Sequence, residues 1–434
     1  MLQTFRNAWK IEDLRKKLIF TAIVLVIYRL GCAIAVPFIQ PTALKNMFSV
    51  VDSNTFGLGF INMMSGGAFA NATLFALGVI PYINASIIIT LLTVAIPYLE
   101  NLSKQGDEGR KKIAKITRYV SIGIAFVLGF GYYSVLKSRS ILMYDEGLAG
   151  FFTGLVIVIT FVAGSLLLMW MGEQIDKKGI GNGVSLIIFT GIISRLSDTA
   201  MVYIAMLQDA VQNKNTINFL LVPLFLVFSV LVIAFAVVLN NAERRIPIQY
   251  GKQVVGRKMI GGQSSHLPIK VNMSGVMPII FASALVSIPG TIRSFFTIES
   301  AFWNEFLAIF NYNGAVYAVM YVFLIIVFNF FYVTMQYNPL EIANNLRKNN
   351  GVIPGFRPGK QTQDFITKVL GKITFIGALF LCVVAILPII MGNLTNTGIQ
   401  MGGTSLLIVV GVALETSQQL ESQMVARHHK GFLE

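Results

Sequence analysis

Residues 56–99 read FGLGFINMMSGGAFANATLFALGVIPYINASIIITLLTVAIPYL and contain two segments of different character. Residues 83–96 are apolar and continuous enough to form a membrane-embedded helix. Residues 57–71 are apolar but short, and glycines and polar side chains interrupt them. Irregular backbone at membrane depth is tolerated only where protein buries it or where it lines a water-filled cavity. The stretch therefore predicts a helical membrane protein that contains such a cavity.

The composition of the 434-residue chain also indicates a membrane protein. Apolar residues make up 55% of it and charged residues only 12%, with a mean hydropathy of +0.70. Soluble chains carry about 25% charged residues. A membrane-spanning helix needs about 20 apolar residues. Ten segments of this kind lie at about residues 18–37, 72–98, 117–136, 151–172, 184–204, 219–240, 273–292, 312–336, 370–391 and 401–421.

The distribution of lysine and arginine predicts the orientation of the chain. An even number of spans places both termini on one side, and 27 of the 34 basic residues fall in the segments on that side. The positive-inside rule makes that side the cytoplasm. Residues 1–17 carry five basic residues, and we expect them to form an amphipathic helix at the cytoplasmic surface. Residues 422–434 would form a cytoplasmic tail.

The spans divide into two groups of five, at residues 18–204 and 205–421. A repeated unit with an odd number of spans is inverted relative to its copy, and inverted repeats commonly place a pathway at their interface. Loops 241–272 and 337–372 are longer than a helix connection requires and carry six basic residues each. Either these loops dock to an anionic partner, or their charge only sets the topology and keeps the protein soluble.

Motifs for enzymatic chemistry are absent from the sequence. It has no HExxH, GxSxG or Walker motif, and Cys32 and Cys382 lie in apolar spans without partner ligands. We therefore expect no catalytic residue, no metal site and no cofactor. Ion-coupled transporters keep ionisable residues in their spans. Here Arg29 and Arg195 lie well inside, and we expect an interhelix contact for Arg29 and a structural pair between Arg195 and Asp198. A secondary transporter and a membrane-embedded enzyme are the alternatives to a passive channel.

Apolar residues at helical spacing, flanked by small or polar residues, occur in four of the spans. One interpretation is ordinary helix packing, which favours small and polar residues at interfaces. The other is a hydrophobic constriction that closes a pore by dewetting. The apolar residues are Val79, Ile83, Val184, Ile188, Met277, Ile280 and Ile408.

Five long segments resemble the SecY family, the large channel subunits of bacterial Sec protein translocons, and more closely the Gram-positive type. The resemblance covers essentially the whole chain. It implies an all-α polytopic membrane fold, in which ten transmembrane helices in two inverted five-helix halves form a clamshell around an hourglass pore with a short plug helix. The segments are SGGAFANATLFALGVIPYINASIIITLL, GEQIDKKGIGNGVSLIIFTGI, QSSHLPIKVNMSGVMPIIFAS, VIPGFRPGKQT and GGTSLLIVV.

The resemblance also implies a role for particular residues. The seven apolar residues above would form the pore ring, and Val79 and Val184 would widen it slightly because the family often has isoleucine there. The lateral gate would lie between the second and third helices on one side and the seventh and eighth on the other, with Asn272 at a polar gate position. Residues 57–71 would form the plug, with Met63, Met64, Ser65, Gly66 and Gly67 at its core.

Partners follow from the same resemblance. Arg244, Arg245, Arg257 and Lys258 match the loop that meets the ribosome or the SecA ATPase, and Arg357 matches an arginine important for both dockings. SecE would clamp the two halves from outside, and SecG would bind peripherally. Signal peptides, translocating chains, membrane lipid and ribosomal RNA complete the implied contacts. The implied function is passive translocation of unfolded polypeptides across the bacterial plasma membrane, with lateral release of transmembrane segments into it.

Overall fold

The computed structural model describes residues 2–40, 43–44, 61–62, 64–212, 216–250, 253–255, 258–260, 264–295, 301–308, 314–395 and 403–428. Helices dominate these ranges. In the first part of the chain they are α1 Leu2–Lys10, α2 Glu12–Gly31, α3 Ile80–Ala95, α4 Pro97–Lys104, α5 Asp107–Ser138, α6 Gly147–Lys178, α7 Gly183–Ser194 and α8 Leu196–Gln212. In the second part they are α9 Thr216–Asn241, α10 Met277–Phe295, α11 Ala301–Ala308, α12 Ala315–Gln336, α13 Pro339–Lys348, α14 Lys360–Thr395 and α15 Gly403–His428.

Each of the ten predicted spans contains a helix. Among the described residues, four helical segments are by themselves long and apolar enough to cross a membrane. α3 and α4 pass the same test together but meet at an angle of 99°. The chain is therefore an all-α polytopic membrane protein, as predicted. The four segments are Asp107–Ser138, Gly147–Lys178, Ala315–Lys348 and Lys360–Leu387.

Several boundaries differ from those expected from hydropathy. The predicted span 72–98 is helical only from Ile80, since Pro81 suits the first turn of α3. A second proline, Pro97, is the first residue of α4 after the bend. The predicted helix 1–17 is divided at Ile11, whose backbone is extended. The span 184–204 is broken at Arg195, between α7 and α8. The predicted division after residue 204 falls inside α8, which continues to Gln212. The side chain of Asp198 lies outside the described residues.

The helices pack as two bundles that meet along two seams. In the first bundle α5 packs on α3 and α6, and α2 packs on α6 and α7; in the second α12 packs on α10 and α14, and α15 packs on α9 and α14. Along one seam, here called the hinge seam, α7 contacts α15 and α8 contacts α9. Along the other, here called the gate seam, α10 contacts α3 and α5. This arrangement agrees with the predicted clamshell.

The two ends of the described chain are joined. α1 packs against α15 as well as α2. The hydroxyl of Thr4 donates to Glu421 Oε1 at 2.9 Å, and Lys17 Nζ donates to Gln423 Oε1 at 3.3 Å. Beneath these bonds Ala8 and Leu420 belong to a small apolar cluster. This contact, here called the terminal clasp, links the first bundle to the second.

The two long loops form one unit around a small sheet. Strand β1 Glu243–Tyr250 pairs antiparallel with β4 Ser264–Lys270, and β5 Gly351–Val352 pairs with the other edge of β1. The short strands β2 Gln253–Val255 and β3 Lys258–Ile260 form a separate hairpin. The inward residues of β1 join an apolar core with residues of α12, α13 and α14. The described parts of loops 241–272 and 337–372 therefore pack together, and they are here called the loop unit.

Candidate functional site

The seven residues of the predicted pore ring all belong to the main apolar core of the protein, to which helices of both bundles contribute. α3 and α7 contribute from the first bundle, and α10 and α15 from the second. Val184 and Met277 are partly buried against this core. That the seven converge on one ring, and that the ring acts as a constriction, stay predictions. The fully buried members are Val79, Ile83, Ile188, Ile280 and Ile408.

The predicted plug, residues 57–71, precedes α3 as a compact chain of turns. Residues 57–60 and Met63 lie outside the described residues; 61–62 and 64 are helical, and turns follow. The hydroxyl of Ser65 donates to the Asn62 carbonyl at 3.2 Å and accepts from Phe69 N at 3.1 Å, while Asn62 Oδ1 accepts from Ala70 N at 3.0 Å. The polar side chains that look out of place in this apolar sequence therefore satisfy its own irregular backbone.

The plug lies directly on the backbone of α7. Gly66 has φ +64°, which favours glycine, and a Cβ added there would lie 2.8 Å from Gly191 Cα. Gly67 also has a positive φ, but a Cβ there would meet nothing within 4 Å. Gly66 is therefore a close-packing glycine, whereas Gly67 only shapes the turn. Since Ile188 lies one turn before Gly191, the plug is seated next to the predicted ring.

Three side chains from neighbouring helices donate hydrogen bonds to plug carbonyls. On α2, Tyr28 Oη lies 3.4 Å from the Ser65 carbonyl oxygen, and Arg29 Nη1 lies 3.1 Å from that of Gly66. On α5, Tyr132 Oη lies 2.6 Å from the carbonyl oxygen of Phe69 and its ring stacks on the Phe69 ring at 4.2 Å. Sequence reasoning assigned Arg29 an interhelix contact and did not single out the tyrosines. The partner of Arg29 is the plug. The one sequence signal for this contact was the position of an arginine deep in an apolar span.

At one end of the gate seam, α10 packs against a glycine of α5. At Gly131 of α5 an added Cβ would lie 2.5 Å from Cδ2 of Phe295, at the end of α10. The Phe295 side chain is buried. Glycine at this position therefore lets α10 approach α5 closely.

We expect Gly131→Val to open the gate seam. The added side chain overlaps the Phe295 ring, and overpacking of this kind costs about 1–3 kcal/mol. Spin labels on the exposed positions Val127 and Ile292, one on each side of the seam, should report longer distances than in the unmodified chain. Gly123→Val is the matched control, because a Cβ at Gly123 meets nothing within 4 Å. Equal distances in both variants would contradict a role for this contact.

The proposed gate residue Asn272 makes its contacts within the second bundle. Its Nδ2 donates to Asn240 Oδ1 of α9 at 2.7 Å, and its Oδ1 accepts from the Ser274 hydroxyl at 3.4 Å. Ser274 also bonds Asn329 of α12, whose Nδ2 donates to the Thr374 carbonyl of α14 at 2.8 Å. This buried network ties the start of α10 to three helices of its own bundle. The assignment of Asn272 to the gate stays a prediction.

The predicted docking residues lie on the loop unit. Arg244 and Arg245 are exposed on β1, and Arg245 Nε pairs with Glu243 at 2.7 Å. Lys258 lies on β3, and Arg257 lies outside the described residues. Arg357 is exposed in the turn that leads from β5 to α14, and its backbone is fixed at both ends. Its N donates to Gln361 Oε1 at 3.3 Å, and its carbonyl accepts from the Thr362 hydroxyl at 2.9 Å.

Comparison with known proteins agrees with this geometry. The SecY family model matches residues 73–417. The chain belongs to the SecY family. A protein translocase subunit SecY from Bacillus licheniformis is 42% identical over 439 residues, and the alignment covers 100% of both chains.

Solved SecY-family channels share the fold of this chain. One is a SecY protein whose plug domain stabilises the closed state of the translocation channel and maintains a membrane seal. It superposes with a TM-score of 0.64 at 20% identity over 96% of this chain and 94% of the other. Another is Sec61 in the canine ribosome–channel complex from the endoplasmic reticulum, with a TM-score of 0.61 at 19% identity and the same coverages. Membership of a translocation-channel family makes this chain a membrane channel subunit.

Proposed function

We propose that this chain is the conduit through which unfolded secretory polypeptides cross the membrane. The observation that carries the proposal is the packing of the plug on α7 through Gly66 and Gly191, inside an apolar core that both bundles share and that contains the seven predicted ring residues. Aliphatic side chains make no directional hydrogen bonds, so a ring of them can surround any sequence without holding it. In the absence of a substrate the same ring excludes water and ions by dewetting.

The gate seam is the proposed lateral exit. Among the described residues, the main contacts at the gate seam are those of α10 with α3 and α5, whereas the hinge seam and the terminal clasp join the bundles elsewhere. Separation at the gate seam would expose the pore to lipid, and apolar segments of a passing chain would then partition into the bilayer. Polar segments would continue through the ring.

The energy for translocation would come from partners, since the sequence carries no nucleotide-binding loop. The basic, exposed loop unit is the proposed docking surface for the ribosome and the SecA ATPase, in keeping with the ribosome complex of the Sec61 neighbour. SecE and SecG are the proposed companion subunits. The bacterial relatives support a location in a bacterial plasma membrane, and the charge distribution supports cytoplasmic termini.

A crosslinking experiment tests the conduit directly. With a photoreactive phenylalanine analogue in place of Ile188, a secretory chain stalled during translocation should form a covalent adduct with this subunit. The same analogue in place of Phe151, which is 72% exposed on the outside of α6, is the control and should give none. An adduct from position 151 but not from position 188 would place the path outside the proposed ring and overturn the proposal.

A further inference from the structure

Two adjacent side chains near the end of α2 hold the plug by its backbone. Tyr28 bonds the Ser65 carbonyl and Arg29 bonds the next one, at Gly66. The Tyr28 side chain is buried, and its ring stacks on Phe75 with the centroids 5.9 Å apart. Packing therefore fixes the tyrosine, and the arginine next to it is directed at the turn of the plug.

The Gly66 carbonyl is suited to receive an arginine. Both Gly66 and Gly67 have positive φ, and no backbone N–H of the described residues donates to the Gly66 oxygen. Gly66 is buried, and a buried carbonyl needs a hydrogen-bond partner. A charged donor gives a stronger hydrogen bond than a neutral one.

Arg29 has few other interaction partners for its charge among the described residues. Among the described residues it forms no ion pair with a carboxylate. It lies in the last turn of α2, where the negative end of the helix dipole favours a cation. An arginine in a span is expensive and is usually functional. Among the described residues, its hydrogen bond to the backbone of another element goes to the plug.

We propose that Arg29, with Tyr28 beside it, is a plug-positioning residue that keeps the channel shut until a substrate enters. The inference rests on the proposed function, because it assumes that residues 57–71 are a removable plug. Opening must break the Arg29–Gly66 and Tyr28–Ser65 hydrogen bonds together with the Tyr132–Phe69 bond on α5. The bonds go to carbonyls and not to plug side chains, so the latch constrains the backbone path of the plug more than its sequence.

The test is the resting ion conductance of proteoliposomes that contain the purified translocon. Arg29→Met should raise it about 10- to 100-fold, since it removes a charged hydrogen bond that exists only in the closed state. Tyr28→Phe should raise it about two- to threefold, because that bond is long and neutral. Arg29→Lys keeps the charge and should restore part of the seal. Arg293→Met, at the exposed end of α10, makes the same change of charge away from the plug and should have no effect.

Arg29→Met in a chain without the plug distinguishes loss of the plug contact from a general disturbance of the channel. In a chain without residues 57–71, Arg29→Met should add nothing to the conductance, because its target is gone. A further increase there, or a sealed Arg29→Met channel beside a leaky deletion, would overturn the latch and leave the plug intact as a proposal. A deletion that stays sealed while Arg29→Met leaks would instead remove the plug assignment on which the latch rests.

Discussion

Removal of residues 57–71 will leave a channel that conducts ions at rest. The described part of this segment is packed into the protein: Ser65 and Phe69 are fully buried, and Gly66 lies against the backbone of α7. We expect the proposed ring alone to be a weaker barrier, since valine at positions 79 and 184 would leave it wider than isoleucine would. We therefore expect frequent, brief openings rather than a permanently open pore, visible as flickering currents in planar bilayers.

Shortening the chain elsewhere is the control for this experiment. A variant without residues 251–262, at the tip of the loop unit, loses a similar length but no part of the predicted seal. It should remain closed at rest. If the chain without residues 57–71 also stays closed, the segment is not a plug, and the ring carries the whole seal by itself.

The second large effect is expected from Arg357→Glu, which should stop motor-driven export. Arg357 is exposed on a turn whose backbone is fixed by Gln361 and Thr362, so the side chain is presented without a local carboxylate partner among the described ion pairs. Reversal of a charge that a partner buries costs about 2–5 kcal/mol, which weakens docking roughly thirtyfold or more. ATP-dependent uptake of a secretory protein into vesicles, with SecA binding to the same vesicles, measures this loss.

Lys348→Glu is the matched control for that prediction. It makes the same charge change at the exposed end of α13 on the same loop unit. Export at full rate in both variants would show that Arg357 does not dock the motor. An equal loss in both would point to the net charge of the loop unit and not to Arg357 itself.

Sequence reasoning was most successful where the controlling physics is local. Hydropathy located helices at all ten spans, because burial of a continuous apolar run in lipid depends on the run alone. The family resemblance named the seven ring residues, all of which lie in the main apolar core, and their ring stays a prediction. The predicted helix boundaries were less accurate where a single residue determines where a helix starts or ends. Pro81 does so at the start of α3, and Ile11 does so between α1 and α2.

Contacts between distant parts of the chain could not be predicted. Gln249 pairs with Val352 because α12 and α14 position the second loop at the edge of β1. Hydrophobic periodicity within each segment does not predict that pairing. The partner of Arg29 depends on a carbonyl that a positive-φ turn directs at α2. Asn272 matches a gate position of the family, and its hydrogen bonds to Asn240 and Ser274 could not be read from that match; its assignment to the gate stays a prediction.

The terminal clasp limits how this channel can move. With α1 held on α15, and α7 and α8 held on α15 and α9, relative sliding of the two bundles is opposed, and rotation about an axis along that edge is the remaining soft motion. If the ring lies about 20 Å from that axis, or two interaxial distances of 8–10 Å, a rotation of about 10° displaces its far side by about 3 Å. A small angle at the clasped edge is thus enough to part aliphatic side chains in the ring.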